Sequence, residues 1–204
     1  MTDYAPQPQI TVLDTGGQYT HLIARKVREL GVYAEVRTSE TDTAELADRK
    51  GVIISGGPAS VYEVGSPTID PALLHASIPM LGICYGQQLM AHLLDGTVEK
   101  GTKGEYGSAT LSVTNLQSPL LAGLEALEPV WMSHRDTVFK APTGFEVLAS
   151  TPTCAVAAIG NDRLRQYGVQ FHPEVIHTRH GHQDRKSTRL NSSHGKLSRM
   201  PSSA

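Results

Sequence analysis

Three apolar runs in the first half of the chain each end in glycine-rich or tightly turning sequence. The runs are Ile10–Asp14 before Gly16 and Gly17, Gly51–Ser55 before Gly56 and Gly57, and Ile78–Ile83 before Cys84. Apolar residues at spacings of three and four follow the first run, from Tyr19 to Leu30, and favour a helix that ends near Gly31. Buried strands that alternate with helices predict a parallel α/β sheet.

The pattern changes after about residue 108 to strand-like segments that are joined by turns. These segments are Ala109–Thr114, Phe145–Ser150, Ala155–Ile159 and Arg165–Phe171. Gly160-Asn161-Asp162, between the last two, is typical of a hairpin turn. The predicted fold is therefore α/β: an open, mostly parallel twisted sheet flanked by helices, flavodoxin-like, with antiparallel additions in the C-terminal half.

Composition narrows the function classes that suit such a domain. With 204 residues and 39% hydrophobic content, the chain can bury one substantial core, which favours a single domain. A formal net charge of −2 predicts no nucleic-acid partner, and no apolar run approaches the roughly 18 residues of a membrane span. Met1–Gln9 lacks the layout of a signal peptide, so we expect a cytoplasmic location, where Cys84 and Cys154 stay free thiols.

Gly82-Ile83-Cys84-Tyr85-Gly86 matches the nucleophile-elbow pattern, in which a strand turns sharply into a helix and exposes the central side chain. Glycines on both sides relieve backbone crowding while the central residue is held in a strained conformation. The helix expected at about 87–94 directs its positive dipole end at the cysteine and favours thiolate over thiol. A lone cysteine at a strand end is more often a small buried residue, but the flanking glycines favour a nucleophile.

A second candidate group follows the apolar segment that ends at Phe171. His172 comes directly after that segment, and Glu174 comes two residues later, beyond a proline. A thiolate nucleophile needs an acid and a base, and Glu174 is suited to orient the imidazole as the third member of a triad does. Taken alone, this pair is more often a surface His and Glu around a proline turn. Its combination with the elbow predicts a triad of Cys84, His172 and Glu174.

The chain resembles the class I glutamine amidotransferases over about residues 9–184, and within that family it is most similar to the glutaminase half of the GMP synthetases. The segments that carry the resemblance are Asp14-Thr15-Gly16-Gly17-Gln18-Tyr19, Ser55-Gly56-Gly57-Pro58 with Ser60-Val61-Tyr62, Gly82–Gln88, Val130-Trp131-Met132-Ser133-His134 and Gly168–Glu174. Tyr85 and the Trp131–His134 segment distinguish this branch from the anthranilate and carbamoyl-phosphate relatives. Gly17 and Arg135 depart from the family pattern, because Ser and Gly are common at these two positions.

The resemblance implies a glutaminase that hydrolyses L-glutamine to glutamate and ammonia through the triad, with neither a cofactor nor a metal in this domain. It implies an oxyanion hole that is formed by the backbone amides of Gly57 and Tyr85. The residues that it implies for holding the polar backbone end of the glutamine substrate are Gln88, Ser133, His134 and Arg135.

The same resemblance implies a partner half, an ATP-pyrophosphatase, which this chain is not expected to contain. In the GMP synthetases an ATP-pyrophosphatase half uses ATP and Mg²⁺ to aminate xanthosine monophosphate (XMP) to GMP with the released ammonia, and the full enzyme is expected to be a homodimer. Two alternatives stay open. One is an amidotransferase subunit of another pathway or a γ-glutamyl peptidase. The other is a regulatory module that acts only with its partner.

The two ends of the chain differ in composition from the predicted amidotransferase domain at 9–184. Residues 1–8 are expected to be flexible. Residues 185–204 contain six Ser, five Lys or Arg and no Asp or Glu, and without these five positive charges the formal net charge falls from −2 to −7. Such a composition does not easily form a core, so we expect a disordered or artefactual tail, with a natural basic tail as the alternative. His177, His180 and His182 match no complete set of metal ligands, and no metal site is expected there.

Overall fold

The computed structural model describes residues 7–175, and this part of the chain forms a single sheet with two α-helices and two short 3₁₀ helices. The strands are β1 (Ile10–Asp14), β2 (Ala34–Thr38), β3 (Gly51–Ile54), β4 (Met80–Ile83), β5 (Thr97–Val113), β6 (Leu127–Lys140), β7 (Glu146–Ser150), β8 (Ala158–Asn161) and β9 (Gln166–Val169). The helices are α1 (Thr20–Glu29) and α2 (Tyr85–Leu93), and the 3₁₀ helices are Thr43–Leu46 and Pro71–His75. In the described residues no helix has the length and apolar character that crossing a bilayer requires.

The sheet has a parallel half and an antiparallel half. Its strand order is β2-β1-β3-β4-β9-β8-β7-β5-β6. The five strands from β2 to β9 in that order pair in parallel, and the pairs from β9 to β6 are antiparallel. This arrangement confirms the predicted α/β fold, including the change of strand direction in the second half of the chain.

Two apolar cores cover the two faces of the parallel half, because neighbouring residues of a strand point to opposite faces. Ile53 of β3 packs in the same core as Ile23 and Val27 of α1. Val52 and Ile54, on the other face of β3, pack in the core that contains Leu89 and Met90 of α2. Complete burial of such a side chain contributes about 1.5–3 kcal/mol, so both helices are held mainly by their apolar faces.

Helix α1 ends where the sequence predicts. Gly31 adopts a φ of +75°, and its amide donates a 2.8 Å hydrogen bond to the Arg28 carbonyl. A residue with a Cβ is strained in this conformation, which explains why a glycine marks the end of the helix.

The antiparallel half departs from the sequence prediction in three places. Strand β5 begins at Thr97 rather than near 109, and β6 was not predicted at all. Strand β5 is exposed or partly exposed at nearly every position, and β6 alternates buried and more exposed residues over much of its length, so no continuous apolar run marks either strand. The predicted turn at 160–162 was also misplaced, since β8 continues to Asn161 and the turn lies at 162–165.

The parallel half brings the carboxyl ends of β1, β3, β4 and β9 to one edge of the sheet. Ligand and catalytic sites of open parallel sheets form at this edge, in the loops that follow the strands. Strands β4 and β9 are direct neighbours, with Ile83 opposite Val169 in the register. The segments after these two strands, beginning at Cys84 and Gln170, therefore lie side by side.

Candidate active site

Cys84 occupies a sharp turn between β4 and α2. Its φ is +53°, a left-handed conformation that L-residues other than glycine rarely adopt. The flanking glycines are required by close packing: a Cβ on Gly82 would lie 2.5 Å from the Gly86 carbonyl carbon, and one on Gly86 would lie 2.3 Å from the Ile54 carbonyl oxygen. The predicted strained elbow is therefore present, with Cys84 at the N-terminus of α2.

His172 and Glu174 lie beside this turn, beyond the end of β9. The His172 amide donates a 2.9 Å hydrogen bond to the Trp131 carbonyl, which joins this segment to β6. On the side chain, His172 Nδ1 lies 2.7 Å from Glu174 Oε1, and the imidazole also hydrogen-bonds Cys84. All three residues are buried, and the Tyr19 ring packs edge-on against the His172 ring at a centroid distance of 5.8 Å.

The surroundings of His172 favour its imidazolium form. Burial alone lowers the pKa of His172, but hydrogen bonds to Cys84 and Glu174 and their negative charges outweigh it and raise the pKa to about 10. A charged imidazole between a sulfur and a carboxylate is suited to stabilise a thiolate and to deliver a proton to a leaving group.

The loop after β3 lies against both Cys84 and His172. A Cβ on Gly56 would be 3.5 Å from Cys84 Cβ and 3.3 Å from His172 Cε1, so this glycine lies directly against both side chains. The Thr15 hydroxyl donates a 2.9 Å hydrogen bond to the Gly56 carbonyl and fixes the loop from the side of β1. Gly57 follows in this loop, and the Tyr85 amide is the first of α2, where no carbonyl of its own helix is available to it. Gly57, which carries one of the two amides predicted to stabilise an oxyanion, lines both cavities beside Cys84, and Tyr85 directly follows the cysteine.

Two cavities adjoin Cys84 and share part of their lining. The first has a volume of about 350 Å³ and is lined by Tyr19, His172 and Glu174 among others. The second has a volume of about 460 Å³. Cys84 and Ser133 line both, so the sulfur lies where the two spaces meet.

The second cavity gathers all four residues that were predicted to hold the substrate. They are Gln88, Ser133, His134 and Arg135. Its lining also carries charges of both signs, with Lys100 and Arg135 opposite in sign to Glu63 and Asp136. A free amino acid has both an ammonium and a carboxylate group, and a cavity with both kinds of charge suits such a ligand.

His134 is held in a polar network that the sequence did not reveal. Its Nε2 lies 3.0 Å from Glu105 Oε2, and its Nδ1 lies 2.9 Å from the Asp136 carbonyl oxygen. Thr151 and Thr153 each donate a 2.7 Å hydrogen bond to the other oxygen of Glu105. Burial raises the pKa of Glu105, but the hydrogen bonds from Thr153, Thr151 and His134 outweigh it and hold the pKa below its usual value. A half-buried carboxylate therefore holds His134 in the wall of the second cavity.

Cys154 lies near this network, and one potential ligand atom each from Glu105, His134 and Cys154 falls within 4.8 Å of the others. Hydrogen bonds account for the cluster, since Cys154 Sγ lies 3.1 Å from Thr137 Oγ1 and the other two residues pair with each other. Burial raises the pKa of Cys154 to about 11, so its thiol stays protonated at neutral pH. The cluster is thus a structural network. Of the two buried free cysteines, Cys154 is the less reactive, because its thiol is buried away from the cavities.

The histidines at 177, 180 and 182 and the segment 185–204 lie outside the described residues. A buried residue that sequence reasoning missed is Gln170, whose side chain contacts Cys84 Sγ. The only signal for it was its place in the segment that ends with His172 and Glu174.

Both the sequence and the structure relate the chain to known proteins. A family model described as Glutamine amidotransferase class-I matches residues 11–186. A GMP synthase (glutamine-hydrolyzing) from Symbiobacterium thermophilum is 54% identical over 174 residues, covering 84% of this chain and 34% of the relative. One of the same name from Staphylococcus aureus strain JH9 is 51% identical over 177 residues, covering 86% and 34%. The chain thus spans about a third of the length of these curated relatives.

The chain also matches solved structures. The crystal structure of a putative GMP synthase subunit from Thermoplasma acidophilum matches with a TM-score of 0.81 and 30% identity, covering 93% of this chain and 96% of that one. A glutamine amidotransferase from Thermotoga maritima matches with a TM-score of 0.66 and 21% identity, over 83% of this chain and 78% of that one, which is a likeness of fold.

Proposed function

The chain belongs to the class I glutamine amidotransferase family, and on that basis we propose that it hydrolyses L-glutamine to glutamate and ammonia with Cys84, His172 and Glu174 as its catalytic triad. The observation that carries the proposal is the position of the His172 imidazole. It is buried between the strained Cys84 and the Glu174 carboxylate, 2.7 Å from the latter. A nucleophile, a proton carrier and a group that orients the carrier are thus in contact.

The first half of the reaction forms an acyl-enzyme. The Cys84 thiolate attacks the side-chain carboxamide carbon of glutamine, and a carbon–sulfur bond forms while the carbonyl oxygen takes up the negative charge. The amides of Gly57 and Tyr85 stabilise that oxygen. His172 then donates its proton to the amide nitrogen, the carbon–nitrogen bond breaks, and ammonia leaves.

The second half releases glutamate. The γ-glutamyl group remains on Cys84 as a thioester, and neutral His172 takes a proton from a water molecule that attacks it. Collapse of this second tetrahedral intermediate breaks the carbon–sulfur bond and regenerates the thiolate. Glu174 accepts a hydrogen bond from His172 Nδ1 throughout and thereby keeps the other ring nitrogen directed at the reacting atoms. No cofactor or metal is needed for these steps.

The glutamine substrate would bind in the second cavity with its α-amino and α-carboxylate groups among the charged residues. Arg135 is an exposed cation of that cavity and is suited to the α-carboxylate, and Asp136 is suited to the ammonium. Gln88, Ser133 and Cys84 line the same cavity. A substrate bound in this way would have its carboxamide within reach of the sulfur.

The released ammonia would serve a synthetase partner that uses ATP and Mg²⁺ to aminate XMP to GMP. Support comes from the GMP synthases that match this chain over a third of their length, and from the Thermoplasma acidophilum structure, of which the chain covers 96%. The amidotransferase domain would therefore act beside a synthetase half, whether the two share one polypeptide or associate as separate ones.

The nucleophile is tested by comparing Cys84→Ala with Cys154→Ala in the 204-residue chain. Cys84→Ala should lower glutamate release by roughly a thousandfold or more, because the covalent path is lost. Cys154→Ala should retain activity, since its thiol is protonated and hydrogen-bonded away from the cavities. A glutamine-like alkylating agent, followed by peptide mass spectrometry, should label Cys84; label found mainly on Cys154 would refute the assignment.

The partner is tested by adding a separately produced synthetase half with ATP and XMP. We expect low basal glutaminase activity in the chain alone and a severalfold or greater increase with the partner, since a change of about 1.4 kcal/mol in the active arrangement alters the rate tenfold. Full activity alone and no response to the partner would contradict this coupling without affecting the triad.

A further inference from the structure

Gln170 is a buried polar residue that contacts the Cys84 sulfur. It follows β9, two residues before His172, and its side chain is inaccessible to solvent. Its Nε2 lies 3.4 Å from Cys84 Sγ, and its Oε1 lies 3.0 Å from Gln88 Nε2. Each end of this amide therefore has one polar neighbour.

The direction of these hydrogen bonds follows from one fixed acceptor, the Asp136 carbonyl oxygen. A carbonyl oxygen only accepts, so Gln88 must present its NH₂ group to it, at a distance of 2.8 Å. The second hydrogen of that NH₂ group is directed at Gln170, which must therefore present its oxygen. The NH₂ group of Gln170 is then the end that faces Cys84, and the sulfur receives a hydrogen bond from it.

The fixed acceptor is itself held by the buried His134 ring. His134 Nδ1 lies 2.9 Å from the same Asp136 oxygen, and the opposite ring nitrogen is paired with Glu105. A continuous chain of hydrogen bonds thus leads from Glu105 through His134, the Asp136 carbonyl and Gln88 to Gln170. Reversing the Gln170 amide would put its NH₂ group against that of Gln88, so the orientation at the sulfur is enforced.

A second contact of the sulfur favours the opposite protonation state. Cys84 Sγ lies 3.7 Å from the Ser133 carbonyl oxygen, which is able to accept a hydrogen bond only from the protonated thiol. The Gln170 amide is able to donate to either form, and it donates more strongly to the anion, because hydrogen bonds to charged groups are stronger. Of these two neighbours, Gln170 is the one that stabilises negative charge on sulfur.

We propose that Gln170 is a further catalytic residue of this site, whose side-chain amide donates a hydrogen bond to Cys84 and stabilises its thiolate. The role rests on the proposed glutaminase function and extends it. The same donor acts twice in the cycle, first on the attacking thiolate and again when the carbon–sulfur bond of the thioester breaks and the electron pair returns to sulfur. His172 and Gln170 then share the stabilisation of the sulfur anion.

The test replaces Gln170 with Met, which has a similar volume and no N–H donor. The matched control is Gln166→Met, because Gln166 is also a buried glutamine of the same segment but donates to the Leu74 carbonyl instead. Alkylation of the 204-residue chain by iodoacetamide is followed across pH, with mass spectrometry reporting on Cys84. In Gln170→Met the midpoint of Cys84 alkylation should move about one pH unit upward, which corresponds to a roughly tenfold loss of thiolate at a pH below both midpoints.

Steady-state kinetics supply a second readout. We expect kcat for glutamine hydrolysis to fall roughly tenfold in Gln170→Met, while KM changes less than about twofold, because the lost donor acts on sulfur rather than on the substrate. Gln166→Met should change neither quantity by a comparable factor.

Gln170→Glu provides a second variant of nearly the same shape in case the Met variant does not fold. It keeps an oxygen toward Gln88 but presents a carboxylate oxygen to the sulfur, so its alkylation midpoint should rise further. Unchanged alkylation profiles in the folded variants would overturn the proposal, even if the wild-type chain hydrolyses glutamine. Conversely, a shifted profile in a chain that has no glutaminase activity either alone or with the synthetase half, ATP and XMP would support the contact and refute the proposed function, so the two failures are distinguishable.

Discussion

Replacing Glu174 with Gln should lower the pKa of His172 and slow glutamine hydrolysis at neutral pH. Hydrogen bonds to Cys84 and Glu174, and the charges of both groups, raise the pKa of His172 from an ordinary value of 6.5 to about 10. Burial opposes this shift, so Cys84 and Glu174 together supply more than the net amount. Glu174 therefore contributes to the raised pKa of His172, after the larger contribution of the hydrogen bond to Cys84.

The size of the effect follows from the type of hydrogen bond that remains. The amide oxygen of the introduced glutamine would still accept from His172 Nδ1, but a neutral hydrogen bond contributes about 0.5–1.5 kcal/mol where a charged one contributes about 1.5–3. The loss of about 1–2 kcal/mol corresponds to a 5- to 30-fold change in an equilibrium constant. We expect a fall in kcat of that order and a shift of the alkaline limb of activity to lower pH.

Unfolding measurements give an independent check with a defined sign. Because the pKa of His172 is higher in the folded than in the unfolded chain, its contribution to stability is complete below about pH 6.5 and is lost as pH rises through about 10. The difference in free energy of unfolding between wild type and Glu174→Gln should therefore be largest near pH 6 and should narrow toward pH 10.

The control is Glu35→Gln, which removes an ion-paired carboxylate that is partly buried. Glu35 belongs to β2, at the far edge of the sheet, and lies 2.8 Å from Arg49, so its loss should lower stability without changing the pH profile of activity. If Glu174→Gln leaves both the alkaline limb and the pH dependence of unfolding as in wild type, Glu174 does not hold the proton on His172.

Three further changes test separate parts of the structure. Gly17→Ala would place a Cβ 2.0 Å from the Gly56 carbonyl oxygen, so we expect a lower melting temperature, a destabilisation of about 1–3 kcal/mol and reduced kcat, measured by thermal unfolding and glutamate release. Arg135→Gly should raise KM for glutamine about two- to fivefold at an unchanged melting temperature, as expected for an exposed charge, and an unaltered KM would remove Arg135 from the substrate cavity. Deletion of 185–204 should leave the melting temperature within about a degree, because its composition offers few apolar anchors, and a loss of several degrees would contradict the predicted tail.

The sequence was sufficient to predict the parallel half of the sheet and the principal groups of the site. Strands buried on both faces appear as continuous apolar runs, and the glycines after them mark the loops at one sheet edge. Since Cys84 and His172 each follow such a run, their meeting at that edge was predictable. The left-handed backbone of Cys84 and the end of α1 at Gly31 were predictable for the same local reason.

The antiparallel half could not be predicted as well, because distant contacts override local preference there. Gly160 favours a turn by itself, yet it lies in β8, where a Cβ would come within 2.9 Å of the Tyr167 ring and 2.8 Å of Leu148. Gly160 is therefore required because a side chain would not fit against its neighbours, and not because the chain forms a turn there. The turn lies at 162–165 instead and ends at Arg165, which has a φ of +57°.

The polar network around the Cys84 sulfur could not be predicted from the sequence either. Gln88 and Gln170 are separated by 82 positions, and His134 and Glu105 by 29. Nothing in the residue types indicates that these side chains meet. Only the neighbouring positions of α2, β6 and β9 in the folded chain bring the two glutamine amides into line with Cys84.

Strand β9 is the last described strand along the chain, but it occupies the middle of the sheet, between β4 and β8. During translation, β4 and the cysteine behind it would leave the ribosome well before their neighbour does. The nascent polypeptide would then carry an open strand edge, which is prone to mispairing, and a nucleophile without its proton carrier. When β9 pairs with β4, it covers that open edge and at the same time places His172 beside Cys84. Hydrolysis would therefore begin only on chains whose sheet is complete, and a nascent chain stalled before β9 would consume no glutamine.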